Sequence, residues 1–312
     1  MADQSKTESP QIANETWNTK LYDDKFYNPD PEALAFFKLE TGIENDEELK
    51  QHILTVQKGA FSVYSYPCIR IFEFMRLKLA RLPAYDHVLT LGRERPDGIF
   101  LDLGCSFGND SRKLVRDGYP VQNILAVDLR RELWNLGHEL FRSTPHTFPV
   151  PFIKGDILDP SFITPTTLSL SLSPNNTCPD LSTLTSLNPL RGHLSAIYTG
   201  AFFHLFDFSQ QLYIAQCLAS LLSSEPGSII IGVQGGMSEK GMWRPDGSEY
   251  AMCCHSVESW EELWRGVFRG GGEGIRVSAR LREEIGGITF FDTWPLNTTK
   301  QYHVLEWAVI RV

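Results

Sequence analysis

The stretch Ile99 to Asp110, IFLDLGCSFGND, constrains this chain more than any other. An apolar run ending in Asp102 suits a buried parallel strand. It passes straight into a turn bracketed by Gly104 and Gly108, and a helical segment begins near Asp110. A strand, a tight loop and a helix N-terminus bring several backbone N–H groups to one point, a common way to hold a small ligand at the end of a parallel sheet.

The rest of the chain supplies the sheet such a unit needs. Ile99 to Leu103 is the first predicted strand, Ile124 to Asp128 the second, and Phe152 to Asp159 a third strand with its exit. Leu194 to Thr199 resumes the series and Ser228 to Gln234 continues it. Helical patterns fall between them, at Ser111 to Arg116, Leu129 to Phe141, Ser209 to Leu222 and Ser256 to Val267. Ile275 to Glu283 alternates, with Val277, Ala279 and Leu281 opposite Arg276, Ser278, Arg280 and Arg282, as a half-exposed strand should, and Tyr302 to Val312 is the last strand. Five strands alternating with helices and followed by a terminal pair predict a doubly wound, mostly parallel α/β sheet of seven strands with an antiparallel edge.

Helical signals fill the segment before the first strand. Pro31 opens one helix, Asn45 precedes another, and Ile71 to Leu82 reads as a basic amphipathic helix carrying Arg76, Lys78 and Arg81. The expected organisation is a mobile tail over 1–20, a helical cap over 21–96, and a ligand-binding domain over 97–312. Within the last, 164–191 is rich in Ser, Thr, Leu, Pro and Asn and reads as a low-complexity insertion, with one short helix near Leu181 to Leu187. The basic residues of the cap face water in the plain reading. In the sharper one the cap is a lid whose aromatics touch substrate.

Composition narrows the partners. A net charge of −9 over 312 residues and a pI near 5.4 argue against a surface built to neutralise nucleic-acid phosphates. No stretch is long and apolar enough to span a membrane, and the N-terminus lacks a secretory pattern. The six cysteines form no CxxC pair and read as thiols of a reducing compartment. A soluble, cytoplasmic protein with a small-molecule partner and no metal site is expected.

Spacing then sorts the ligand classes for the glycine loop. A nucleotide P-loop needs Lys and Ser/Thr after its last glycine, where this chain has Asn109 and Asp110. A dinucleotide fingerprint, G-x-G-x-x-G, counted from Gly104 meets Ser106 and Asn109, and stays open as a poorer fit. The pattern D-x-G-x-x-x-G at Asp102, Gly104 and Gly108, an acid at Asp128 ending the second strand, and Asp156-Ile157 after the third resembles the class I S-adenosylmethionine-dependent methyltransferases. Ser106 departs from that pattern, where glycine is usual. The plain alternative for Asp128 is a turn acid capping the next helix.

A narrower resemblance, running from about residue 25 to the end except for 164–191, is to the fungal methyltransferases of meroterpenoid biosynthesis. It rests on the runs beginning at Pro31, on Tyr64-Ser-Tyr66-Pro-Cys-Ile-Arg70, on Leu101 to Asp110, and on Leu136 to Arg142. The resemblance implies a Rossmann-like class I fold with an N-terminal helical cap, S-adenosylmethionine as cofactor, and a homodimer. It also implies methyl esterification of an aryl carboxylate on a prenylated polyketide. Residues expected at the cofactor are Asp102, Gly104, Cys105, Gly108, Asp128, Leu129, Asp156, Ile157 and Arg70; Tyr64, Tyr66 and Phe203 are expected at the substrate.

His204, just past the fourth predicted strand, is the candidate catalytic residue, as orienter or base, against the alternative of a packed core histidine. A carboxylate acceptor, with a pKa near ~4, is ionised at neutral pH and needs no base, whereas a phenol near ~10 would benefit from one. An N- or C-methyltransferase and a non-catalytic binding protein are the rival readings.

Overall fold

Apolar runs with no polar alternation make the central strands. The computed structural model buries every side chain of β1 (Ile99–Leu103) and β5 (Ile229–Gly236). It describes residues 24–166, 179–244, 251–269, 274–283 and 303–312. The expected tail over 1–20, residues 167–178 of the insertion and residues 270–273 lie outside the described residues.

β2 (Ile124–Asp128) and β3 (Phe152–Lys154) lie on one side of β1. β4 (Leu194–Gly200), β5, β9 (His303–Arg311) and β8 (Ile275–Glu283) lie on the other, giving the order β3-β2-β1-β4-β5-β9-β8. The first five run parallel; β9 is antiparallel to both β5 and β8. Strand order reverses direction between β1 and β4. The crevice at the carboxyl ends of those two strands is where open sheets of this kind take their ligands. A short ribbon, β6 (Gly241–Trp243) with β7 (Met252–Cys254), was not anticipated; three-residue strands are too short to show a period.

Period-two alternation sends β1 into two cores. Ile99, Leu101 and Leu103 pack with Ile197, Ile230 and the helices α7 (Phe208–Leu221) and α8 (Val257–Phe268). Phe100 points the other way, among Ala196, Tyr198, Ile231 and α4 (Tyr85–Glu94). On the first face, Phe203, Trp260, Trp264 and Trp307 form an aromatic cluster, edge-to-face except for the tilted Trp264 and Trp307 pair, with ring centroids 4.9 to 6.3 Å apart.

The N-terminal helices α1 (Pro31–Thr41), α2 (Asp46–Val63) and α3 (Pro67–Arg70) start where the sequence places its stop and start signals. Asp30 caps α1 by accepting from the Ala33 N–H at 2.9 Å, and Asn45 caps α2 by accepting from Glu47 and Glu48. Their apolar side makes a third core, in which Phe36, Phe37, Leu49 and Ile53 meet Phe107 of the glycine loop and Leu133, Leu140 and Phe141 of the α6 segment (α6, Arg131–Leu140). This core is distinct from the two on the sheet faces and joins the N-terminal helices to the glycine loop and α6.

The helix expected over Ile71 to Leu82 is not formed. Two 3-10 turns, Glu73–Met75 and Leu79–Arg81, replace it, and Phe72 and Leu77 take left-handed φ of 57° and 48°. Phe72, Phe74, Met75 and Leu77 are all buried, which is more than one helical stripe can hide, so the backbone twists to bury them all. The short helix expected near Leu181 is likewise a pair of 3-10 turns, Leu181–Thr183 and Asn188–Leu190, and Leu181, Leu187 and Leu190 join the main core.

Candidate active site

At the end of β1 the chain turns through Gly104 (φ 78°), Ser106 (φ 50°) and Gly108 (φ 70°) before entering α5 (Asn109–Arg116). Left-handed backbone favours glycine, so the serine at the middle position holds a conformation strained for its side chain. The Ser106 N–H donates to Asp128 Oδ2 at 2.9 Å, and the Arg130 N–H donates to Asp128 Oδ1 at 2.8 Å. Gly104 and Cys105 donate to the Val127 carbonyl at 2.8 and 3.1 Å. The loop after β1 is thereby tied to the end of β2, and Asp128 stands at the junction. Burial pushes its carboxyl up, and these N–H groups pull it back.

Two aromatic rings and a helix fix the loop from outside. Phe202 packs against Gly104 and Trp134 against Gly108, each where a Cβ would otherwise sit. α6 rests its backbone on the loop at Gly137, where any Cβ would collide with the Phe107 carbonyl. Cys105 is buried, which raises its thiol well above the ordinary range.

Three carboxylates gather at the strand ends. Asp102 is 2% exposed and accepts from the Ser111 hydroxyl at 2.6 Å. Burial, countered by that hydrogen bond and reinforced by Asp110 and Asp128, pushes its carboxyl up to about 7. Asp110 accepts from the Leu79 N–H at 3.1 Å and from the Tyr198 hydroxyl at 3.3 Å, so the second 3-10 turn of the N-terminal segment is bonded across to α5 and β4. Asp156, by contrast, is exposed and caps its own turn through the Leu158 N–H at 2.9 Å, and Ile157 packs in the main core. Leu129, 40% exposed, leaves an apolar side chain open beside Asp128.

The two tyrosines expected at the substrate lie against each other. Tyr64 and Tyr66 have ring centroids 4.1 Å apart, the Arg130 guanidinium lies 5.0 Å from the Tyr64 ring, and the Tyr66 phenol, raised chiefly by burial, also feels the charge of Asp128. The structure thus brings both to the β2 end of the crevice. Arg70 ends α3 with its guanidinium 5.6 Å from the Phe26 ring and its carbonyl accepting from Gln57 at 2.9 Å. Phe203 is wholly buried in the tryptophan cluster, so it is a core residue; Ala201, at φ 53°, turns the chain so that Phe202 and not Phe203 faces the glycine loop.

His204 is 7% exposed, and its Nδ1 accepts the Gly235 N–H at 2.8 Å. A neutral imidazole accepting at Nδ1 carries its proton on Nε2. Burial, aided by the positive charge of Lys78, lowers its pKa to about 4, so the ring is neutral at pH 7. It can therefore donate a hydrogen bond from Nε2, but its one basic nitrogen is already occupied.

Sequence reasoning missed a charged group above these residues. Glu73 receives Arg76 on Oε1 at 2.7 Å and Lys78 on Oε2 at 3.0 Å. The basic residues of this segment were expected to face water, yet the Lys78 side chain is 22% and Glu73 14% exposed. Burial opposes the lysine's charge, but Glu73, Cys68 and Asp110 together hold the ammonium above its ordinary pKa.

A sheet in this order, with a glycine turn after β1 and an acid closing β2, is the Rossmann-like architecture of the class I methyltransferases. Residues 21–75 match the family described as "Meroterpenoid methyltransferase N-terminal domain". The O-methyltransferase phiE of a fungal species (strain ATCC 74256) is 30% identical over 271 residues, covering 83% of this chain and 82% of that one. The Asnovolin E/Chermesin D methyltransferase nvfJ of Aspergillus novofumigatus is 32% identical over 222 residues, 70% of each. Among solved structures, an S-adenosylmethionine dependent methyltransferase from Mesorhizobium loti aligns with a TM-score of 0.42 and 12% identity, over 75% of this chain and all of that one. The chain belongs to the fungal meroterpenoid methyltransferase family.

Proposed function

We propose that this enzyme is an S-adenosylmethionine-dependent O-methyltransferase of secondary metabolism that methyl-esterifies a carboxylate on a prenylated polyketide intermediate. The observation that carries the donor reading is Asp128, held at the end of β2 by the Ser106 and Arg130 N–H groups. Each backbone bond uses one lone pair of its oxygen, which leaves the carboxylate able to accept from a ribose diol. The residues fit the cofactor in other ways. Leu129 offers an open apolar face beside Asp128, and Arg130 Nε is buried without a partner among the described residues. Asp102 and Asp110 suit a cationic ligand better than a phosphate.

S-adenosylmethionine, when bound, supplies an electrophilic methyl group on a sulfonium sulfur. Asp102, Gly104, Cys105, Gly108, Asp128 and Leu129 would hold it, with Arg130 closing the ribose side and Tyr64 and Tyr66 beside it, where they remain proposed substrate contacts. Asp156, Ile157 and Arg70 remain proposed cofactor contacts at the margins of this set. The protein's task is then to align the acceptor oxygen and exclude water. Segment 21–96 acts as the cap that does so. An ionised carboxylate has no proton to give up, which agrees with His204 as an orienting donor from Nε2 and not a base.

The described residues contain no helix long and apolar enough to cross a membrane, and we place the enzyme in the cytoplasm, as a homodimer. Calorimetry of the full chain with S-adenosylmethionine tests the donor reading: micromolar binding is expected, and no heat at high micromolar concentration rejects it. Alkaline hydrolysis of the methylated product separates an ester from an ether or amine.

A further inference from the structure

We infer that Lys78, paired with Glu73 and carried on the segment anchored through Leu79 to Asp110, is the residue that reads the negative charge of the acceptor and so selects a carboxylate. This rests on the methyl-ester reading above and goes beyond it in assigning a specificity-determining residue, outside the glycine loop, to the acceptor side.

The argument starts from where Lys78 stands. The N–H of the next residue, Leu79, is bonded to Asp110 in the first turn of α5, and Asp110 is bonded in turn to Tyr198 on β4. The segment is therefore anchored over the carboxyl ends of β1 and β4, and the charge of Lys78 reaches both Asp110 and His204. Left-handed backbone at Leu77 immediately before it interrupts any helix that would carry the side chain out to water.

Charge explains why a cation belongs here. Asp102, Asp110 and Asp128 make the strand ends a negative surround, hostile to an anionic acceptor. A half-buried ammonium offsets that repulsion locally. Lys78 has three donors and can offer one to a second carboxylate while still paired with Glu73, whose other oxygen faces Arg76 at 2.7 Å. His204 adds a second donor: its ring is more than nine-tenths buried, and Nε2 has no hydrogen-bond partner among the described residues. Two separate single-point donors orient a carboxylate while leaving lone pairs free for attack, whereas a bidentate arginine would occupy both oxygens.

Selection follows from the same geometry. A neutral acceptor of the same shape gains only a weaker hydrogen bond from Lys78, and esterification removes the charge that Lys78 reads, so the product is held less tightly than the substrate.

The test uses the full chain saturated with S-adenosylhomocysteine, and compares the affinity of a farnesylated 2,4-dihydroxybenzoate with that of its neutral carboxamide. The wild-type protein is expected to prefer the benzoate by about ten- to a hundredfold, the range for one charge-assisted hydrogen bond. Lys78→Met should abolish the preference by lowering benzoate affinity far more than carboxamide affinity, with no change for S-adenosylhomocysteine, and Lys78→Arg should restore part of it. A purely structural lysine would weaken both acceptors together. Should Lys78→Met fold poorly with Glu73 left unpaired, Glu73→Gln/Lys78→Met removes both charges and is expected to lose the preference alike. Retention of the preference in either variant, or its absence from the wild type, overturns the inference. Failure of the wild type to bind S-adenosylhomocysteine would instead overturn the donor reading beneath it.

Discussion

Asp102 closes β1 with its carboxyl in the sheet interior, and its environment couples ligand binding to pH. A carboxyl raised from its ordinary 3.8 to about 7 makes the folded protein bind the extra proton between those values. Its contribution to stability is therefore greatest in acid and declines as pH rises through about 7. A cationic ligand reverses the preference by favouring the ionised form. Affinity for S-adenosylmethionine should thus climb as pH rises through about 7 and level off above it, and calorimetry across that window, with Asp102→Asn as the flat control, checks it. Asp128→Ala should weaken the same affinity by about 1.5 to 3 kcal/mol, the range for hydrogen bonds to a charged group; an unchanged affinity would place the ribose elsewhere. At this scale the glycines and Asp128 were legible because their spacing is set by backbone geometry. Phe202 and Phe203 were not told apart, since a single left-handed residue, Ala201, decides which ring faces the loop. The Glu73 and Lys78 pair was hidden because five residues is not a helical contact distance.

At the scale of elements, the docking of α6 on the glycine loop is the tightest contact near the site. Gly137→Ala forces a methyl group against the Phe107 carbonyl, which has no rotamer to yield. A loss of about 1 to 3 kcal/mol is expected in urea unfolding, with weakened donor binding because the displaced loop carries the Ser106 N–H. The capping box of α7, in which Asp207 accepts from Ser209 and Gln210 at 2.8 Å, lies on the exit from β4. Asp207→Ala should cost about 1 kcal/mol. Parallel strands and capped helices were readable because their signals are local: continuous apolar runs, and Asn or Asp ahead of an apolar period. The segment 71–82 misled for the opposite reason. Its apolar residues satisfy a helical period, and only the third core, assembled from four other helices and the glycine loop, requires Phe72 and Leu77 to leave it.

For the whole molecule, the shared third core means that the N-terminal helices and the sheet should unfold together. Leu49→Ala, in α2 and far along the chain from the sheet, is expected to cost about 2 to 5 kcal/mol and to lower a single thermal transition followed by both far-UV circular dichroism and tryptophan fluorescence. Two separated transitions would show an independently stable cap. Sequence reading could propose a lid but could not see this joining, since no periodicity within α2 reports that its partner is α6, where His52 meets the Leu140 carbonyl 88 residues on.

The strand order carries a consequence for how the protein is made. β9 enters the sheet between β5 and β8, so β5, in which Gln234 is the one polar side chain among isoleucine, valine and glycine, gains its second neighbour only when residues 303–311 have left the ribosome. Until then a nascent chain exposes an apolar edge able to pair with any passing strand. Yield in a heterologous host should accordingly depend on chaperone supply and slow growth temperature more than on the stability of the finished fold.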